Sequence, residues 1–256
     1  MRKHEQFILT SVGNILADSA SATSLVSQGM DSYPLCEYIM QSTFLRMTGF
    51  MEQKMKCICW ELATDDYDYR YMRYSKRNAL GECSTYDEKQ SVFSDLLKQI
   101  RKNDTLFHSI SENERKKIVK EAKVKVYSYH RNIRKKGWLL RSYCDFEMII
   151  ETLDIACIGK ENSKGKLVEI FDNSKKYIGK IGTCEEAFDS LVKHRNLCAH
   201  NLMSYEQNIP SFAVMQHNRH VFDNYYLRFF LLILMDSLFV YLFQKYIVVS
   251  DSHFNI

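Results

Sequence analysis

Turn-forming residues are scarce in this chain of 256 residues, which has two prolines, Pro34 and Pro210, and nine glycines. A many-stranded β protein needs far more turn chemistry, so the shortage excludes that class and favours long helices joined by few loops. A glycine-rich phosphate loop, a serine nucleophile elbow and a paired-carboxylate signature are also missing, and the enzyme classes they define are empty here. None of the eight cysteines, at 36, 57, 59, 83, 144, 157, 184 and 198, forms the Cys-x-x-Cys spacing of a zinc site. Cys57 and Cys59 would point apart on a helix, and the pair His217 and His220 has no carboxylate-rich partner segment, so neither a metal nor a cofactor is expected. The net charge is only +4, too small for wholesale attraction to nucleic acid; any such binding must come from a local cluster.

Apolar residues make up 46% of the chain, enough for one large domain with a substantial core. The cysteines fall mostly within apolar helical runs and read as buried thiols in a reducing compartment, which points to the cytoplasm. Two stretches imitate membrane signals. A basic start, a partly apolar stretch and Ala20-Ser21-Ala22 resemble a signal peptide, but Thr10, Ser11, Asn14 and Asp18 interrupt it, and an amphipathic helix is the better reading. Residues 229–249 are apolar enough to span a bilayer, yet Asp236 would sit at the centre at a cost of about 2.5 to 3.5 kcal/mol. With Gln244 and Lys245 adding to that cost, the segment reads as a central core helix, and no membrane partner is expected.

Helical periodicity runs through residues 4–27, breaks at 29–34 and resumes from Leu35 to about Ala63, an expected antiparallel pair. Residues 64–88 mix Tyr, Asp and Arg with no clean period and read as an irregular connection. A short helix is expected at 89–102. Ser111 and Glu114 form a capping box that opens a charged helix to about Arg134, which Gly137 ends. Another apolar helix is expected at 141–159, followed by a lysine-rich, glycine-broken stretch. A second capping box, Thr183 to Glu186, starts a helix that runs through Leu197. After a loop at 204–218 the last helix runs from His220 to about Val249. The expected fold is all-α, a single bundle over 1–256 in which 64–140 is an inserted basic helical segment.

Residues 193–201 read Lys-His-Arg-Asn-Leu-Cys-Ala-His-Asn, which sets a permanent cation, an amide and an imidazole within six positions on a helix. RNA transesterification needs a group to take the 2′-hydroxyl proton, one to protonate the 5′-oxygen, and positive charge at the phosphorane-like transition state. Histidine serves the first two near neutral pH, and arginine serves the third as a bidentate phosphate donor. Arg195 and His200 are about 140° apart on an ideal helix, whereas Asn196 and His200 share a face. The arginine must therefore reach round, the helix must deform, or a second copy must contribute.

Arg195-Asn196, two small or apolar residues, then Ala199-His200 resembles the signature of HEPN domains, in which four to six residues separate the arginine from the histidine. The setting is similar too, with the motif on a late helix followed by an apolar one. The resemblance implies a HEPN-like helical bundle and an acidic position on an early helix, here Glu52. It implies a metal-independent endoribonuclease with a composite site across a homodimer, leaving a 2′,3′-cyclic phosphate and serving as a toxin or abortive-infection effector. The wording looks closest to the Abi-type branch. HEPN toxins paired with a nucleotidyltransferase antitoxin usually carry Tyr two residues after the histidine; Leu202 stands there, which argues against that pairing.

The local basic cluster lies between Glu112 and Arg141, with eleven Lys or Arg (115, 116, 117, 120, 123, 125, 131, 134, 135, 136 and 141) against three acids. Lys116, Lys117, Lys120, Lys123, Arg131, Arg134, Lys135 and Lys136 are candidate phosphate contacts. Tyr127, Tyr129, His130 and Trp138 interleave with them and are candidates for stacking on unpaired bases. A solvated helix face is the competing reading. RNA is the expected partner, along with an antitoxin or another defence component. A non-catalytic HEPN module that binds RNA, nucleotide or protein is the alternative.

Overall fold

The computed structural model describes residues 2–26, 32–74, 83–133, 137–151, 184–199 and 224–253. Among the described residues every regular element is a helix: α1 Glu5–Leu9, α2 Gly13–Ser24, α3 Tyr33–Asp65, α4 Tyr67–Tyr74, α5 Tyr86–Asn103, α6 Glu112–Ile133, α7 Gly137–Glu151, α8 Cys184–Ala199 and α9 Tyr225–His253. The all-α expectation holds. The break at 29–34, the lysine-rich stretch after 159 and the loop at 204–218 lie largely or wholly outside the described residues.

Helix α9 is apolar on all faces, as a helix surrounded by others must be. It packs on α1, α3, α5, α6 and α7. Its length and composition would allow it to cross a membrane, and 83% of its most apolar window is buried inside the bundle. One continuous core contains residues of all nine described helices, among them Ile8, Leu16, Phe44, Tyr69, Phe93, Val126, Phe146, Phe188 and Phe230. The segment 64–140 contributes to that core through α4, α5 and α6.

At the centre of α9, Asp236 is fully buried and forms an ion pair with Lys54 of α3, which is fully buried as well. Two buried charges are tolerated only when further hydrogen bonds satisfy them. Lys54 Nζ donates to the Thr10 carbonyl at 2.7 Å, and the Val12 amide donates to Asp236 at 2.9 Å. These bonds explain a correction to the expected helix at 4–27. The chain leaves helical geometry at Thr10, whose backbone is extended, and re-enters it at Gly13, so that the freed backbone groups can solvate the ion pair.

A second correction concerns 64–88, where α4 is a defined helix rather than an irregular connection. Asp66 caps it, accepting from the amides of Asp68 at 2.9 Å and Tyr69 at 3.2 Å. Tyr69 donates to Asp95 of α5 at 3.1 Å and Arg73 pairs with the same carboxylate. Tyrosine stands on both faces, exposed at 67, 71 and 74 and buried at 69, which hides the helical period from a reading by hydrophobicity.

Helix α5 starts three residues earlier than expected because Thr85 and Glu88 form a capping box. The box at Ser111 and Glu114 is present at the start of α6. Gly137 begins α7 rather than merely ending its predecessor. Of the six cysteines whose side chains are described, five are buried and Cys144 is exposed, a partial correction to the buried-thiol reading.

Lys54→Met should destabilise the bundle by about 3 to 5 kcal/mol, the cost of an uncompensated buried charge. Adding Asp236→Asn should recover much of that loss, since the amide oxygen can still accept from Val12. Urea unfolding midpoints of the wild type and both variants measure this, and equal midpoints for the single and double variants would contradict it.

Candidate functional site

Helix α8 packs on α3 and α5. Phe188 and Leu191 are buried on its inner face, and Arg195, seven residues after Phe188, continues that face with about a quarter of its side chain exposed. The guanidinium reaches α3, where Nη2 donates to Glu52 at 3.0 Å, and Nη1 donates to Asn196 Oδ1 at 2.9 Å. Glu52, expected as an acidic position on an early helix and as the acid that would pair with Arg195 if the two merely braced the bundle, is thus the partner of Arg195. Two of the five N–H donors of a guanidinium are engaged in these contacts. His200 and Leu202 lie outside the described residues.

A narrow crevice beside this pair is lined by Thr48, Glu52, Ser84, Lys89, Phe188 and Arg195. Its free volume, about 10 Å³, is about one water's worth. A phosphate must therefore meet Arg195 from its exposed side. Lys89 has no counterpart in the motif. Its signal in the sequence is a lysine on the apolar face of an amphipathic helix, in line with Tyr86, Phe93 and Leu96.

His194, next to the motif arginine, faces the core, as the divergence of adjacent helical residues requires. It is 3% exposed, with Nε2 at 3.0 Å from the Tyr225 hydroxyl and 3.4 Å from Cys198 Sγ. Burial, reinforced by the Arg228 cation, lowers its pKa to about 2. The ring is therefore held neutral and away from solvent, which disqualifies it as an acid or base for a bound substrate.

The basic cluster is thinner in space than in sequence. Lys116, Lys117, Lys120 and Arg131 are exposed on α6, and Lys123 is half-buried; burial lowers the Lys123 ammonium from its usual value, with Glu151 opposing. Lys116 pairs with Glu112 at 2.7 Å. Arg115 is buried and donates to the Ile110 carbonyl, and Lys125 donates to Ser11 Oγ at 2.8 Å. Arg134, Lys135, Lys136 and the side chain of Trp138 lie outside the described residues. Two stacking candidates are corrected. Tyr129 is buried, and His130 stacks on Tyr143 with ring centres 3.7 Å apart and Nδ1 at 3.1 Å from the Tyr226 hydroxyl. Their apolar surroundings claim both rings, and Tyr127, about half exposed, keeps its face open. The open stripe is therefore Lys116, Lys120, Tyr127 and Arg131, which share one side of α6. Helix α6 packs on α2 and α9, so this stripe and Arg195 stand on helices with different neighbours.

Among the described residues no three His, Cys, Asp or Glu side chains converge as a metal site. His217 and His220 lie outside them.

His194 gives the fold an acid limit. Its folded pKa lies below its unfolded value of about 6.5, so the unfolded state binds the extra proton first and stability falls as pH drops from about 6.5 towards 2. The fall is up to about 1.4 kcal/mol per pH unit from this group. Thermal melts of His194→Gln should depend less on pH between 6.5 and 4 than those of the wild type; parallel curves would refute the assignment. Neither a family model, nor a curated protein, nor a solved structure matches the chain.

Proposed function

We propose that this chain is a metal-independent endoribonuclease of the HEPN type, acting in the cytoplasm as a toxin or anti-phage abortive-infection effector. The observation that carries the reading is the state of Arg195. Glu52 orients its guanidinium at 3.0 Å, while the side chain stays partly exposed and keeps N–H donors for a phosphate. That is what the arginine of an Arg-x4-His motif has to do.

In this reading the 2′-oxygen of RNA attacks the neighbouring phosphorus while a base takes its proton. The bond to the 5′-oxygen breaks as that oxygen receives a proton, and a 2′,3′-cyclic phosphate remains. His200 is the general acid or base. Arg195 stabilises the charge that builds on the phosphorane oxygens, and Asn196 orients the guanidinium through its side-chain oxygen. A guanidinium and an imidazole supply both charge and proton transfer, so the scheme calls for neither metal nor cofactor. Arg195 and His200 diverge on an ideal helix, so the site is composite, with a homodimer bringing motifs from two copies to one phosphodiester. The α6 stripe of Lys116, Lys120 and Arg131, with Tyr127 among them, holds the RNA backbone and stacks on an unpaired base. The restraining partner is an antitoxin other than a nucleotidyltransferase, or another defence component.

A second reading is a non-catalytic module that binds RNA, nucleotide or a protein partner. The Arg195–Glu52 pair favours it to the extent that bracing α8 against α3 is by itself a reason for both residues.

Brief induction separates the two. Wild type should arrest growth and create new RNA ends, and Arg195→Ala and His200→Ala should each abolish both, lowering cleavage by about 10² to 10⁴-fold with helical content unchanged. Sequencing of RNA ends provides the measurement. New ends that persist in His200→Ala would sink the nuclease reading.

A further inference from the structure

Lys89 lies on the inner face of α5 and is 3% exposed. A buried ammonium has to find acceptors, and Nζ donates to the carbonyls of Cys83 and Ser84, both at 2.8 Å. Cys83 has φ 57, the left-handed region that a non-glycine residue rarely enters. The two bonds to Lys89 hold that turn. The ammonium also stands 5.2 Å from the centre of the Phe188 ring, on α8 and two turns before Arg195 on the same face. It lines the same crevice as Glu52 and Arg195. One cation therefore joins α5, the turn before it and α8, beside the pair that Arg195 makes with Glu52 of α3.

We infer that Lys89 is a positioning residue for Arg195, acting through Glu52: the buried ammonium beside the crevice they share offsets part of the carboxylate's hold, and this leaves the guanidinium free to turn N–H groups outward. Its contribution to catalysis rests on the ribonuclease reading; its hold on Arg195 does not. The three groups together carry one net positive charge. When Lys89 loses its proton the sum falls to zero, and the whole field of Glu52 acts on Arg195. The guanidinium is then drawn inward and an incoming phosphate meets less positive charge.

Burial lowers the Lys89 ammonium to about 8, opposed most strongly by Glu52. The other groups acting on it are Cys83 at the turn, Glu88 on α5 and Arg195 on α8. Burial pushes the Cys83 thiol up to about 11, so the thiol does not titrate near the lysine.

The decisive measurement is the Nε–Hε resonance of Arg195 in the full-length protein, assigned by its loss in Arg195→Lys and followed from pH 6.5 to 9.5. In the wild type it should move with a midpoint near 8; in Lys89→Arg, whose charge does not titrate in this range, it should stay still. Lys89→Met should hold it at the wild type's high-pH position at every pH; should Lys89→Met not fold, the wild type against Lys89→Arg still decides. RNA cleavage followed in parallel should be roughly tenfold slower at pH 9 than at pH 7 in the wild type, and this alkaline fall should vanish in Lys89→Arg. A resonance that is flat in the wild type, or that titrates equally in Lys89→Arg, overturns the inference even if Arg195→Ala abolishes cleavage. A resonance that titrates as described in a protein that cuts no RNA overturns the nuclease reading and leaves the link between Lys89 and Arg195 in place.

Discussion

The bundle depends on one buried ion pair. Lys54 and Asp236 sit on the two longest described helices, α3 and α9, and neither charge reaches solvent. Moving such ions out of water carries an idealised cost on the order of 20 kcal/mol each, which mutual attraction offsets only when the remaining lone pairs and protons are satisfied. Here the backbone satisfies them, at Thr10 and Val12. The pair therefore sets the register of α3 against α9 and requires the N-terminal chain to break its helix at one place. A slide of one turn along either helix would strand both charges.

The fold was legible in the sequence wherever a local signal and a long period agreed. Few glycines and prolines and the box at Ser111 and Glu114 each have one physical meaning, and the helices they predict are present; the apolar last helix is present too, at Tyr225–His253 rather than from His220 to about Val249. Apart from the local box at Thr85 and Glu88 that starts α5 early, the main misreadings trace to long-range partners. The interruption at Thr10 answers to a lysine 44 residues on. Helix α4 is pinned by Asp95, and its tyrosines, apolar and polar at once, blur the pattern of faces. Tyr129 and His130 looked available beside so many cations because sequence spacing does not reveal that Tyr143 and Tyr226 close over them.

At the candidate site, Glu52 could be named as the acid on an early helix, and it is the residue that Arg195 reaches. Lys89 leaves only a faint signal, a lysine on the apolar face of α5, because nothing within α5 requires a lysine at that position. Its reason lies in the Cys83 turn and in Phe188, contacts that the chain makes only when folded. The crevice has almost no free room, and Lys89 lines it beside the Arg195–Glu52 pair. Its neighbour His194 shows the opposite use of burial, an imidazole kept uncharged so that α8 can rest against α9.

Helix α9 follows every other described helix in the chain yet lies at their centre. During synthesis, α1 to α8 emerge with their oily sides facing a gap that nothing yet fills. Cooperative burial has to wait for α9 to leave the ribosome, and the partly made protein must be kept from clumping in the meantime. A ribosome stalled before α9 would release a chain without the central helix of its core, so any chemistry that α8 can perform awaits nearly the whole translation of the described fold.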